Sequence, residues 1–236
     1  MKKQILASAC LGGLLLGGVQ TVFAYERISD TSIETEVTTE VILDAVPEPP
    51  GPGPVDPVEP PVVLPPDVLY GINYASNLAF GSVEFSELDQ TLTTEFDADL
   101  KGEMVDSGEE DGNGDPIMVP GDIFSYVSIR DFRSDVDRDN WELTVERDTS
   151  SFIRGGILTL KPAFSSDGST GTALASSFTI PSSVIVGDAP SKVVTTTDPI
   201  TGHAAFVLGE ASLEIPAYTV GGEYSTKLSW NLIAAP

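Results

Sequence analysis

The chain has 236 residues and is strongly acidic, with 36 Asp and Glu against 12 Lys and Arg and a formal net charge of −24 at pH 7. This charge would repel nucleic acid and anionic lipid surfaces, so neither is expected as a partner. Anionic polymers would be repelled as well. Any attachment to such a surface must use short-range apolar contacts, hydrogen bonds or bridging cations.

Residues 1–24 have the pattern of a secretory signal peptide. Two lysines precede an apolar stretch from Ile5 to Val19, and small residues precede Tyr25. The stretch is shorter than the ~20 residues that span a bilayer, and nothing after residue 24 is long and apolar enough to do so. We therefore expect a secreted, extracellular chain without a membrane span. Cleavage would also remove Cys10, the one cysteine, so no disulfide is expected.

Two segments of unusual composition follow. Residues 25–45 are acidic and rich in Thr, Val and Ile, which is compatible either with one strand or with disorder. Residues 46–66 contain ten prolines, a composition typical of a semi-rigid polyproline II spacer that extends by ~3.1 Å per residue. This organisation predicts that the spacer displays the acidic segment away from the remaining domain.

Residues 67–236 are long enough for one domain with a core, and short strand patterns recur along them between Gly, Pro, Asp and Ser. No long amphipathic helix is indicated. The prediction is an all-β fold, an antiparallel β-sandwich with long polar loops, one of them over residues 106–122. The clearest candidate strands are Leu78–Phe80, Val83–Phe85, Ile123–Ile129, Trp141–Val145, Ile157–Lys161, Ser177–Ile180, Ala204–Leu208, Ala211–Ile215 and Ser225–Ile233.

The two tryptophans of the chain occur in the same tripeptide, Trp-x-Leu. Trp141 precedes Leu143 by two positions, and Trp230 precedes Leu232 in the same way. Alternate residues of a strand share a face, so each tripeptide places an indole beside a leucine. Two interpretations follow. The four side chains belong to the core, or an exposed indole stacks on the C–H faces of a glycan while neighbouring polar groups fix its orientation.

Charged residues close to the first Trp-x-Leu tripeptide have two possible functions. Asp131 and Arg133 are two positions apart and form either an ion pair at a strand end or a polar contact to a ligand. Four acids have the spacing of ligands in a calcium loop, although Asn140 stands where such loops carry Gly and flanking helices are not indicated. A loop calcium site and a solvated acidic loop both remain open, and no other cofactor is expected. The four acids are Asp135, Asp137, Asp139 and Glu146.

Catalysis has little support in the sequence. His203 is the sole histidine and follows Thr201 and Gly202 in a predicted turn, and no G-x-S-x-G motif is present. Zinc sites need several His or Cys ligands, and no pair of carboxylates is singled out for glycoside hydrolysis. We therefore expect a binding protein and not an enzyme.

Several segments around the tryptophans match a known pattern. Leu78-Ala79-Phe80-Gly81 occurs near the start of the domain, Val127 to Arg133 ends in D-x-R before the first Trp, and Ile215 to Tyr224 contains I-P-A and G-x-Y before the second. Residues 67–236 thereby resemble the WxL-domain surface proteins of low-GC Gram-positive bacteria. Leu64-Pro65-Pro66-Asp67 lacks the LPxTG pattern of covalent sorting.

The resemblance implies non-covalent attachment to the Gram-positive cell wall, with peptidoglycan as the ligand and other WxL-family or WxL-interacting surface proteins as partners. The candidate residues for ligand binding are Trp141, Leu143, Trp230, Leu232, Asp131 and Arg133. The alternative is a structural protein that assembles with other surface proteins, or with host extracellular proteins, and contacts the wall indirectly.

Overall fold

The computed structural model describes residues 26–42, 64–65, 67–110, 116–148 and 152–234. The predicted signal peptide and most of the proline-rich segment lie outside them. The first half of the chain forms β1 Glu26–Ser29, β2 Ser32–Ile42, β3 Tyr70–Ala75, β4 Leu78–Glu84, β5 Gln90–Thr94, β6 Phe96–Glu110, β7 Pro116–Phe124 and β8 Tyr126–Asp131. The second half forms β9 Trp141–Arg147, β10 Ile157–Leu160, β11 Ala163–Ser165, β12 Phe178–Thr179, β13 Val184–Val186, β14 Ser191–Thr196, β15 Gly202–Val207, β16 Ala211–Ile215 and β17 Gly222–Ala234.

The all-β prediction is confirmed. A single 3-10 turn, Ala175–Ser177, interrupts the strands within the described ranges, and none of the described segments is a helix of the length and apolarity needed to cross a membrane. Pairing is predominantly antiparallel, with β2 and β4 pairing in parallel. The strands contain Val, Ile, Thr and aromatic residues, which suit the pleated and half-buried surface of a sheet.

The largest sheet has the strand order β1-β2-β17-β9-β14-β12, with β4 also paired to β2. Two four-stranded sheets, β13-β10-β16-β5 and β11-β15-β8-β3, contribute to the same hydrophobic core. Ile33, Leu158 and Ile129, one from each sheet, are all fully buried in it. Sheets that face a common core in this way have the layered arrangement expected of a sandwich.

The prediction that the spacer displays the acidic segment away from the domain is wrong. Strand β2 lies inside the largest sheet, in register with β17 from Ser32 opposite Asn231 to Val41 opposite Gly222. Ile33, Val37 and Val41 alternate with more exposed residues and are buried. The period of two that a half-buried strand requires is present in this segment and outweighs its acidic composition. The domain therefore includes residues 26–42.

Other differences concern loops and short strands. Residues 106–110 and 116–122 belong to the paired strands β6 and β7, whereas a polar loop was expected there. Residues 111–115 lie outside the described part. His203 lies on β15, opposite Arg130 of β8, and not in a turn. Strands β3, β5 and β14 were not predicted, because Gly71 and the polar residues of Gln90–Thr94 and Ser191–Thr196 mask their alternation.

Candidate functional site

The two Trp-x-Leu tripeptides lie on neighbouring antiparallel strands, β9 and β17. In this register Leu143 is directly opposite Leu232, Trp141 is opposite Ala234, and Trp230 is opposite Val145. The four side chains therefore share one face of the sheet, as the repeated spacing predicts. All of them are buried, Trp141 and Trp230 completely.

Trp230 is held by a specific polar contact. Its indole Nε1 donates a hydrogen bond to Thr35 Oγ1 of β2, at 3.0 Å, in a buried setting. Buried indoles normally find such a partner, because an unpaired N–H away from water is costly. This bond links the terminal strand of the domain to the strand that precedes the proline-rich segment.

Trp141 has a different environment, formed by aromatic rings. Its ring lies 5.9 Å from that of Phe178 and 6.4 Å from that of Phe206, and the backbone N–H donates to Thr196 Oγ1 at 2.7 Å. Its indole Nε1 is buried and has no hydrogen-bond partner among the described residues. Ring packing, and not a hydrogen bond of its Nε1, therefore accounts for the position of the Trp141 indole.

These environments support the core interpretation of the tripeptides. An indole that stacks on a glycan must expose one face, and both indoles are 0% exposed. The structure brings Trp141, Leu143, Trp230 and Leu232 together in one core, and it presents none of the four as a ligand-contacting surface. If the domain binds a ligand in this conformation, other residues must contact it.

Asp131 and Arg133 form an ion pair at the end of β8. Arg133 Nε donates to Asp131 Oδ1 at 3.0 Å and Nη2 donates to Oδ2 at 2.8 Å, and Asp131 is fully buried. The guanidinium also lies 3.8 Å from the ring centroid of Tyr70. Hydrogen bonding to Asp131 raises the pKa of Arg133, and burial raises the pKa of Tyr70 to about 12. The pair is bidentate and its carboxylate is buried, so its geometry favours the structural interpretation.

The four acids with calcium-loop spacing are not gathered into a cation site. Among the described residues, which include all four, no group of three or more candidate ligands lies close enough to hold a metal ion. Asp135 instead pairs with Arg138 at 3.0 Å, Asp137 accepts a hydrogen bond from Ser134, and Glu146 lies on β9 opposite Ser229. In this conformation side chains of the loop bond to one another, and the four acids do not converge on one point.

A concave surface that the sequence did not indicate lies on the outer face of the β11-β15-β8-β3 sheet. We call it the β8–β15 groove. It has a volume of about 380 Å³, and it is lined by Asn73, Ile123, Phe124, Tyr126, Ser128, Ser165, Asp167, Gly168, His203, Ala205 and Val207. These residues come from four separate stretches of the chain, around residues 73, 123–128, 165–168 and 203–207. No local motif could therefore have identified them.

The family comparison agrees with this architecture. A family model described as "WxL domain surface cell wall-binding" matches residues 26–236, a span that includes β2 as well as both Trp-x-Leu strands. Searches of curated proteins and of solved structures found no match. The match covers far more than half of the chain, and the chain therefore belongs to the WxL-domain family of surface cell wall-binding proteins.

Proposed function

We propose that this protein is secreted and attaches non-covalently to the peptidoglycan of the Gram-positive cell wall, as a binding protein without enzymatic activity. The observation that carries the proposal is the family match over residues 26–236, a span that takes in every strand from β1 to β17. The signal-peptide pattern of residues 1–24 supports export.

The charge of the chain favours peptidoglycan over the anionic polymers of the wall. The formal net charge is −24, and removal of the two lysines in residues 1–24, which contain no Asp or Glu, would make it −26. A polyanion of this size is repelled by other polyanions at distances up to the Debye length, ~8 Å at physiological salt. Contacts to uncharged sugar rings and amides avoid that repulsion.

Co-sedimentation tests the proposal. The chain from residue 25 would be mixed with purified peptidoglycan from which anionic polymers have been removed, at low and at physiological salt. We expect the protein in the pellet under both conditions, because the binding does not depend on charge attraction. Recovery of the folded protein only in the supernatant would overturn direct attachment to peptidoglycan.

A second candidate function is assembly with other surface proteins, and a separate observation favours it. Leu88, Tyr218 and Val220 are each more than 60% exposed, on the β4–β5 and β16–β17 loops. Tyr218 N–H donates to Ser86 O at 2.9 Å, and the Tyr218 ring lies 6.5 Å from that of Phe85. Tyr218 also has a φ of 59°, a conformation uncommon outside glycine. Apolar groups held outward in this way are typical of protein-docking surfaces.

Binding to a purified WxL-interacting protein would test this candidate. Leu88→Asp is expected to weaken that binding on the order of tenfold, because it puts a charge into an apolar contact. Ile185→Asp, at the exposed central position of β13, is the matched control. Equal binding by both variants and by the wild type would exclude the loop surface as the docking site.

A further inference from the structure

The β8–β15 groove is set in a sheet face whose residues pair in known register. Tyr126 lies opposite Val207 at one end, and His203 lies opposite Arg130 four positions along the strand. At ~3.3 Å per residue, the groove extends for about 13 Å along the strands. Ser128 and Ala205, both buried, form its floor. An elongated ligand such as a short oligosaccharide fits a groove of this length.

Each aromatic ring of the groove is held by a second ring outside it. Tyr126 packs at 4.9 Å on the buried Tyr74, Phe124 stacks at 5.2 Å on Phe96, and His203 meets Phe132 edge-on at 5.3 Å. Rings fixed before binding lose little conformational freedom when a ligand arrives. The rings therefore form a prearranged apolar surface at both ends of the groove.

The polar wall of the groove is also fixed. The Ser169 hydroxyl donates to Ser165 O at 2.6 Å and accepts from Ala205 N at 3.0 Å, which attaches the turn after β11 to β15. Within that turn a Cβ on Gly168 would lie 2.6 Å from the Ala205 Cβ. The turn approaches the sheet so closely that only glycine fits, and Asp167 beside it is exposed at the rim.

The groove offers hydrogen-bonding groups and one carboxylate but no cation. Among the described residues that line it there is neither Lys nor Arg. Arg130 is next to His203 in register, yet its Nη1 donates to the carbonyl oxygens of Leu64, Pro65 and Val68, with the Pro65 contact at 2.9 Å. An anionic ligand would therefore find no counter-charge in the groove.

The two titratable rings of the groove are uncharged at neutral pH. Burial, and secondarily Arg130, lower the pKa of His203 below its ordinary value. Burial, and secondarily Asp97, raise the pKa of Tyr126. An imidazole and a phenol in these forms each provide a donor, an acceptor and a flat apolar face. This combination complements sugar rings, whose C–H faces are apolar and whose hydroxyl groups both donate and accept.

We infer that the β8–β15 groove is a carbohydrate-binding site that takes the uncharged sugar backbone of peptidoglycan and not its peptide stems. The inference rests on the proposed attachment to peptidoglycan. In this arrangement the rings of Phe124, Tyr126 and His203 contact C–H faces of successive sugars. Asp167 accepts hydrogen bonds from sugar hydroxyl groups, and Asn73 and Ser128 contact hydroxyl or acetamido groups in the centre.

Calorimetric titration of the chain from residue 25 tests this site with two soluble probes. One is an oligomer of β-linked N-acetylglucosamine, and the other is a free peptidoglycan stem peptide. Three variants are compared with the wild type. Phe124→Ala combined with Asp167→Asn alters the exposed groove residues, and His203→Ala alters the ring at the end away from Phe124. Ile185→Ala combined with Asp198→Asn changes an exposed apolar and an exposed acidic side chain elsewhere.

We expect the wild type to bind the sugar oligomer and not the stem peptide. Both groove variants should bind the oligomer on the order of tenfold more weakly than the wild type, and the control variant should bind it equally well. Equal binding by all variants, or binding of the stem peptide alone, would overturn the inference. If neither probe binds while the wild type still co-sediments with peptidoglycan, the groove assignment fails and the proposed function stands. Failure of the wild type to co-sediment with peptidoglycan would instead contradict the proposed function.

Discussion

Two regions of this domain contain aromatic side chains in opposite environments. On β9 and β17, Trp141 and Trp230 are completely buried, and their leucine partners pair across the strands. On the outer face of β8 and β15, Phe124 is 54% exposed and borders a groove with Tyr126 and His203. The difference assigns separate tasks to the two regions. The Trp-x-Leu strands stabilise the fold, and the groove presents rings that a ligand can reach.

The largest effect is expected from deletion of β2, which pairs with the Trp-x-Leu strand β17 in the largest sheet. Deletion of residues 26–42 removes the partner of β17 over its whole register from Asn231 to Gly222, together with the Thr35 acceptor of Trp230. We expect loss of cooperative unfolding, measured by near-ultraviolet circular dichroism in urea. Val37→Asp, at a fully buried position, should have the same effect, whereas Thr38→Asp on the opposite face should leave the transition intact. A native-like transition for the deleted chain would contradict the integration of β2.

Removal of either indole is expected to have the next largest effect on stability. Trp141→Ala and Trp230→Ala should each lower the free energy of unfolding by about 3–5 kcal/mol, because each leaves a large cavity in the core. Against a typical total of about 5–15 kcal/mol, this is enough to unfold a marginal domain. Urea titration followed by fluorescence of the remaining tryptophan measures the loss. A loss below about 1 kcal/mol would mean that the indole is not packed as described.

The ion pair at the end of β8 should contribute less to stability than either indole. Arg133→Met leaves Asp131 buried without its bidentate partner, and we expect a loss of about 3 kcal/mol in the free energy of unfolding. Lys161→Met, which breaks the exposed pair with Glu210, should change stability by less than about 1 kcal/mol. Similar losses in the two variants, measured by urea unfolding, would show that Asp131 is not held as the geometry indicates.

The smallest expected effect is the difference in stability between the Trp→Phe variants of the two tryptophans. Trp230→Phe removes the donor to Thr35 and leaves a buried hydroxyl unpaired, whereas Trp141→Phe removes an N–H that has no partner among the described residues. We expect Trp230→Phe to be the more destabilising substitution by about 1 kcal/mol. Adding Thr35→Val to Trp230→Phe should recover part of the lost free energy of unfolding. Adding it to Trp141→Phe should recover none. Equal recovery in both backgrounds would exclude the hydrogen bond as the cause.

The fold was largely predictable where burial is periodic in the sequence. Trp141–Val145 and Ala211–Ile215 alternate strongly, and both form strands within one or two residues of the expected bounds. In β2 the same alternation is carried by only Ile33, Val37 and Val41 among acids and threonines, so composition suggested a separate segment. Strands β2 and β4 pair in parallel although the proline-rich segment lies between them in the sequence. No local sequence pattern predicts a contact between such distant segments.

The site was predictable only in its structural part. The spacing of Trp and Leu correctly placed four side chains on one face, but it could not decide whether that face was covered, since burial depends on the sheets packed against it. The groove residues Asn73, Tyr126, Asp167 and His203 are far apart in the chain and follow no motif. Pairing of β3, β8, β15 and β11 brings them together, and that pairing is a property of the tertiary structure.

The most direct measurement compares the two regions in one co-sedimentation assay with purified peptidoglycan. Trp141→Phe, verified as folded, represents the core, and the Phe124→Ala and Asp167→Asn double substitution represents the groove. We predict that the Trp141 variant pellets like the wild type and that the groove variant binds on the order of tenfold more weakly. A folded Trp141→Phe protein that no longer binds, beside a groove variant that binds fully, would contradict the division of tasks between buried tryptophans and exposed groove.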